Sequence, residues 1–221
     1  MMEISIHGGN NPQGQLGLGD QTDRSLPTLV RSWDFLSTSG GGSHSTAVKG
    51  DGTMYGWGRN EYGQLGKGTS GTTNYTQPSS TSIAGTVLFK KLDTHYDHNL
   101  AITLDGDLYV WGSNRDHDSD DLAGQLGDGT TVLQRVNPIS VSTPGLKWYD
   151  VQAGSSHSLG ITTDGDLYGW GISSFIGNGA TSSTPQLTPE KIGHMKWDGI
   201  TCSSSASYGV ARTFVPKGYE Y

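Results

Sequence analysis

The sequence is poor in most of what announces a chemistry. It has one cysteine, Cys202, in 221 residues. That excludes an internal disulfide and a cysteine-ligated zinc site. Charged residues make up 16% of the chain, below the usual ~25%. Lys and Arg number 14 against 21 Asp and Glu, a formal net charge of -7. There is no basic arm, and this charge opposes contact with nucleic-acid phosphates. No apolar run approaches the ~20 residues of a membrane helix. Residues Met1 to Gly8 show neither the basic start nor the apolar stretch of a secretory signal. No GxSxG elbow, HExxH pair or GxxxxGK[ST] phosphate loop occurs. Ser, His and Asp are plentiful, so chance neighbours of these types carry no catalytic meaning. The expectation is a protein that is not an enzyme, has no cofactor, and binds neither nucleic acid nor membrane.

Hydrophobic residues are only 32%, but six Trp, ten Tyr and four Phe rule out a disordered chain. Glycine compensates: 34 residues, about twice the usual share. A loop-rich, all-β molecule follows.

Repeats dominate the sequence. GQLGLG covers Gly14 to Gly19, GQLGKG Gly63 to Gly68, and GQLGDG Gly124 to Gly129. A worn copy, FIGNG, covers Phe175 to Gly179. Leu16, Leu65, Leu126 and Ile176 mark one register. Upstream lie MYGWG from Met54, LYVWG from Leu108 and LYGWG from Leu167. Further upstream lie HSTAV from His44, HNLAI from His98 and HSLGI from His157. Between these two strings sits an Asp-Gly pair: Asp51-Gly52, Asp105-Gly106 and Asp164-Gly165. An Asp-Gly turn between two runs rich in β-branched and aromatic residues is a strong hairpin signal. After each glycine motif comes a proline: Pro27, Pro138 and Pro189, with Pro78 a poorer copy. Each unit reads as about four strands in roughly 50 residues, the size of one propeller blade.

The two ends are complementary. The first unit opens at Ile4 to Gly9, aligned with the MYGWG strand, and lacks its front half. The last unit starts at Trp197, runs through Ser207 to Ala211, and lacks its back half. Together they make one unit. The fold predicted is an all-β propeller of about four four-stranded blades, closed by pairing the N- and C-terminal segments. Residues 1–213 form the propeller. Residues 1–30 plus 194–213 form a shared blade, the others lie at about 31–84, 85–144 and 145–193, and 214–221 is a tail.

The pattern HSxAI…DGxLYxWGxN…GQLGxG resembles the regulator of chromosome condensation repeat, from about Ile4 to Ala211. The resemblance implies a propeller whose blades are assembled across repeat boundaries. Typical members resemble seven-bladed rings, whereas this chain has material for four. It closes alone, shares a larger ring between two chains, or forms an arc completed by other proteins. Complementary ends favour closure alone, and a homo-oligomer is left open. Members of the family act as nucleotide exchange factors, chromatin binders, enzyme inhibitors and ultraviolet sensors. Chromatin binding relies partly on basic extensions, which are missing. Ultraviolet sensing needs tryptophans beyond the repeat set, yet two repeat positions account for all six. Trp57, Trp111 and Trp170 fill one, and Trp33, Trp148 and Trp197 the other, with Phe89 as a substitute.

Equivalent histidines, His44, His98 and His157, are expected to hydrogen-bond a neighbouring loop inside each blade rather than hold a metal, since the fourth equivalent is Ala206. Gly112 to Gly124 spans twelve positions where Gly58 to Gly63 spans five. The insertion contains Arg115, Asp116, His117, Asp118, Ser119, Asp120 and Asp121. Its carboxylates are oxygen donors of the kind Ca²⁺ takes, but the glycine and distal glutamate of an EF-hand are missing. It is read as a solvated acidic loop. A second stretch, Thr69 to Ala84, is read as a long mobile loop. The candidate partner contacts are Arg115, Asp116, His117, Asp118, Asp120, Asp121 and Tyr75. The function predicted is a non-catalytic structural or protein-binding module among other subunits of a larger assembly, such as a bacteriophage particle. The alternative is a soluble regulator, either an exchange factor for a small GTPase or an enzyme inhibitor. The matching locations are a virion or the cytoplasm.

Overall fold

The computed structural model describes residues 5–30, 33–83 and 85–212. Each Asp-Gly pair makes the predicted hairpin. Strand β4 (His44–Lys49) turns through Asp51-Gly52 into β5 (Met54–Asn60), with Val48 opposite Met54. β8 (His98–Thr103) and β9 (Leu108–Ser113) form the second hairpin, and β12 (His157–Thr162) and β13 (Asp166–Ile172) the third. Gly52, Gly106 and Gly165 have φ of 83°, 86° and 82°, a turn conformation that a Cβ disfavours.

An inner strand precedes each hairpin and an outer strand follows it. β3 (Phe35–Gly40) and β6 (Gly71–Ser80) complete the first blade, in order β3-β4-β5-β6. β7 (Phe89–His95) and β10 (Gln134–Ser140) complete the second. β11 (Trp148–Ala153) and the first part of β14 (Pro185–Cys202) complete the third. The long β14 serves two blades. Its residues up to Lys196 pair with β13, and those from Trp197 pair with β15 (Ser207–Ala211). At the other end, β1 (Ser5–Gly9) pairs with β2 (Arg24–Val30) as a separate two-stranded sheet.

The expected ring closure is not formed. Among the described residues β1 has β2 as its only partner and β15 has only β14. The described parts of the expected shared blade, 5–30 and 194–212, therefore do not share a sheet. The chain is an open arc of three whole blades flanked by an outer half-blade and an inner half-blade. The tail 214–221 lies outside the described residues. Sequence equivalence identified the two halves as complements, but strand pairing also depends on where the curvature of the arc puts them.

The core lies between successive blades. Leu100, Ile102, Leu108 and Val110 of the second blade pack on Trp148, Val151 and Trp170 of the third. Val48 and Met54 of the first pack on Phe89, Leu92 and Trp111 of the second. One tryptophan was misplaced by the repeat alignment. Phe35, opposite Lys49, takes the position held by Phe89 and Trp148. Trp33 instead lies outside it, stacked on Phe35 at 5.8 Å. The stretch read as a mobile loop, Thr69 to Ala84, contains the ten-residue strand β6. No described helix is long and apolar enough to cross a membrane.

Candidate functional site

The same bond joins each unit to the next. In each whole blade the hairpin tryptophan donates its Nε1–H backward, to a carbonyl of the preceding unit's glycine loop. Trp57 reaches Gln15 at 2.8 Å, Trp111 reaches Gln64 at 2.9 Å, and Trp170 reaches Gln125 at 2.8 Å. A second donor from the neighbouring strand joins each carbonyl: Ser45, Asn99 or Ser158. The half-blade at β15 keeps part of this pattern, with the Ser207 hydroxyl 2.6 Å from the Phe175 carbonyl. These locks make the arc a rigid support for the loops at its end.

The histidines fill repeat-level packing roles at that end. His44 Nε2 lies 2.9 Å from Asn99 Oδ1 and 2.8 Å from the Thr94 hydroxyl. His98 Nε2 lies 3.0 Å from the Ser158 hydroxyl. His157 has no partner on either ring nitrogen. Burial lowers the pKa of all three, that of His98 well below its ordinary value and that of His157 to about 4. Among the described residues no group of three His, Cys, Asp or Glu is placed to hold a metal ion.

A cleft of about 240 Å³ opens beside these loops. The tight turn from β7 to β8 supplies Tyr96 and Asp97. Tyr96 sits at φ 43°, held there because His95 pairs directly with His98. Asp97 accepts from Gln64 Nε2 at 2.7 Å and faces Arg59 at 3.6 Å. The β9–β10 insertion supplies the opposite wall. It is pinched by a bridge between Arg115 and Leu122. Asp116 accepts from the Ser156 hydroxyl at 2.7 Å, and His117 lies over the Tyr96 ring with centroids 3.7 Å apart. The insertion is thus fastened to the β11–β12 turn of the next blade and to the β7–β8 turn of its own.

The sequence-predicted residues divide three ways. Arg115, Asp116, His117 and Asp120 line the cleft together. Asp118 and Asp121 lie on the exposed outer side of the loop. Tyr75 is elsewhere, half-buried on β6 against Phe35, Ala47 and Trp57, with Lys67 5.6 Å above its ring. Sequence reading missed Arg59, Tyr62, Tyr96 and Asp97, which belong to the first and second blades and meet the insertion only in three dimensions. The cleft mixes two guanidinium groups with three carboxylates. It also holds two polar atoms with no partner, Arg115 Nε and Gln125 Oε1.

Comparison with known proteins places this architecture. A family model of the regulator of chromosome condensation repeat matches residues 8–48, 51–102 and 105–161. A second model of the same repeat matches 36–64 and 148–175. The ultraviolet-B receptor of Arabidopsis thaliana is 32% identical over 207 residues, covering 90% of this chain and 45% of that protein. The regulator of chromosome condensation of Xenopus laevis is 33% identical over 164 residues, covering 72% of this chain and 36% of that protein. The crystal structure of Prp20p from Saccharomyces cerevisiae, described with its binding to Gsp1p and histones, superposes with a TM-score of 0.79. Its sequence identity is 20%, over 97% of this chain and 53% of that one. The chain therefore spans about half the length of these relatives, or less.

Proposed function

The chain belongs to the regulator of chromosome condensation repeat family, and from that premise we propose that it is a non-catalytic, protein-binding regulator. Its docking surface is the cleft end of the arc, formed by Arg59, Tyr96, Asp97, Arg115, Asp116 and Asp120. The observation that carries this reading is the fastening of the insertion to two blades, through Asp116–Ser156 and Tyr96–His117. A solvated acidic loop needs no such attachment. A binding loop gains from it, because an ordered surface loses less entropy on association. Asp118 and Asp121, on the outer side of the same loop, extend the contact, and Tyr75 is outside it. The relatives are a receptor and a regulator, and Prp20p is described with protein partners. They favour the regulator reading, as exchange factor or inhibitor, over a virus-particle subunit, which none of them supports.

A panel of purified small GTPases, assayed for binding and for release of bound nucleotide, tests the exchange-factor form. Release above background should fall at least tenfold in an Arg115→Ala, Asp120→Ala double variant. Binding without release would retain the regulator reading in its inhibitor form. No binding to any member, or binding untouched by the double variant, would remove the cleft from the function.

A further inference from the structure

The second blade, which has a whole blade on each side, carries a groove at the end away from the cleft. It is built from residues that the other blades do not repeat. We propose that this groove docks a short peptide segment of a protein partner, one in which a Lys or Arg sits beside a large aliphatic residue.

The groove has a volume of about 400 Å³, with Val87, Leu88, Leu104 and Tyr109 as its apolar lining and Asp105 and Asp107 as its carboxylates. Leu88 enters β7 and Leu104 leaves β8, and the Leu104 N–H bonds the Leu88 carbonyl at 3.0 Å. The two leucines are therefore neighbours at the open end of the strand pair. Tyr109 is held beside them by an edge contact with the buried Phe89, at 5.5 Å.

The fold does not ask for leucine at either place. At the position of Leu88 the third blade has Lys147 and the last half-blade has Lys196. Each lysine reaches back to an aspartate of the preceding hairpin, Lys147 to Asp107 and Lys196 to Asp166, both at 2.7 Å. Leu88 lies against Gly52 as these lysines lie against Gly106 and Gly165, but the residue at the aspartate's place is Thr53. This junction has exchanged an ion pair for an apolar side chain. At the position of Leu104 stand Gly50 and Thr163. Thr163 makes the same backbone bond, to the Lys147 carbonyl at 2.8 Å, so the leucine side chain is not needed for it. Leu88 and Leu104 are 40% and 56% exposed. Single exposed leucines are ordinary. Two of them in one groove, where the repeat elsewhere uses polar or small residues, make a seat for an apolar side chain. Charge selects the occupant. Asp105 is exposed and makes no ion pair among the described residues, and Asp107 has Lys147 alone. A cationic side chain can pair with Asp105 while its aliphatic neighbour covers Leu88 and Leu104. An anionic segment meets the carboxylates of a chain whose formal net charge is already -7.

Selection of phage-displayed random heptapeptides on the purified chain tests the proposal, with subtraction against a Leu88→Lys, Leu104→Thr double variant. Both substitutions install what the third blade has at these positions, so the circular dichroism spectrum should not change. The peptides removed by subtraction should carry Lys or Arg beside a large aliphatic residue. A synthetic peptide of the selected sequence should bind the double variant at least tenfold more weakly, through lost apolar contact. Asp105→Asn keeps the turn, because Asn-Gly suits it as well as Asp-Gly does, and should weaken binding about threefold. Arg115→Ala, Asp120→Ala should leave the affinity unchanged, which separates this groove from the cleft. Selection that yields the same peptides on both proteins would overturn the proposal. So would selected peptides that are acidic or lack an aliphatic residue, or an affinity indifferent to Asp105→Asn.

Discussion

At the scale of single residues, the buried histidines tie the fold to pH. His44, His98 and His157 all have pKa values lowered by burial, so the unfolded chain takes up protons before the folded one does. Stability is therefore complete above about pH 6.5 and is lost as pH falls towards each folded value. For His157 that window runs from the ordinary 6.5 down to about 4, on the order of 3 kcal/mol in full. Buried Asp93 works the other way, because burial raises its pKa and folding then favours its protonated form. Three histidines outweigh one carboxyl, and the net expectation is a melting temperature that drops between pH 6.5 and 4. His157→Leu should flatten that limb, since it removes a buried ring with no hydrogen-bond partner. An unchanged slope in scanning calorimetry across the window would show that His157 is not kept neutral by the fold. The sequence showed these histidines as repeat positions, but the expected bond to a loop inside each blade is not made: His44 and His98 reach strands of the next blade and His157 bonds nothing. It could not show that His157 lacks a partner: Ser207 bonds the Phe175 carbonyl as Ser158 bonds that of Gln125, but only Ser158 also meets the histidine of the preceding blade.

At the scale of elements, the glycine loops are held by the asparagine that ends the WGxN string. Asn11, Asn60 and Asn114 each accept, on Oδ1, the backbone N–H of Leu16, Leu65 or Leu126, at 2.9, 3.0 and 3.0 Å. Each also donates from Nδ2 to a carbonyl at the far end of its loop: Asp20, Thr69 or Val132. The insertion enters between Asn114 and Leu126 without breaking this bond, which is why a unit seven residues longer keeps its register. Asn114→Ala strips both bonds and leaves the buried Leu126 N–H unpaired. The cost should be about 2 kcal/mol, read as a melting temperature about 4–8 °C lower. Asn178→Ala, on a more exposed loop, serves as the comparison and should shift it far less. Equal shifts would mean that the asparagine clamp is not what holds the loop. The hairpins were legible because Asp-Gly between β-formers is a local signal. Strand β6 was not, because Gly71 to Ser80 has no apolar alternation. It is extended by its neighbours: the Gly19 N–H bonds the Thr76 carbonyl at 2.8 Å, and Tyr55 and Gly58 pair with Ser80 and Tyr75. The cleft was half legible for a similar reason. A length difference marked the insertion, but nothing local joins it to Tyr96 and Asp97 on another loop.

At the scale of the whole molecule, an arc in which each blade touches only its neighbours should not have uniform stability. In repeat architectures the free energy is close to a sum of units and interfaces. The second blade, β7 to β10, has a whole blade packed on each side. The outer half-blade β1–β2 and the inner half-blade ending in β15 each have two strands, one free edge and one packed neighbour. Two-stranded sheets are marginal by themselves, so each depends on its single interface. Amide hydrogen exchange measures this gradient. Amides of β8 and β9 should exchange slowest, close to the rate of global unfolding. Those of β1, β2 and β15 should exchange at least tenfold faster, through local opening. Uniform protection would mean that the arc unfolds as one cooperative body. The interfaces between blades would then be stronger than the blades themselves.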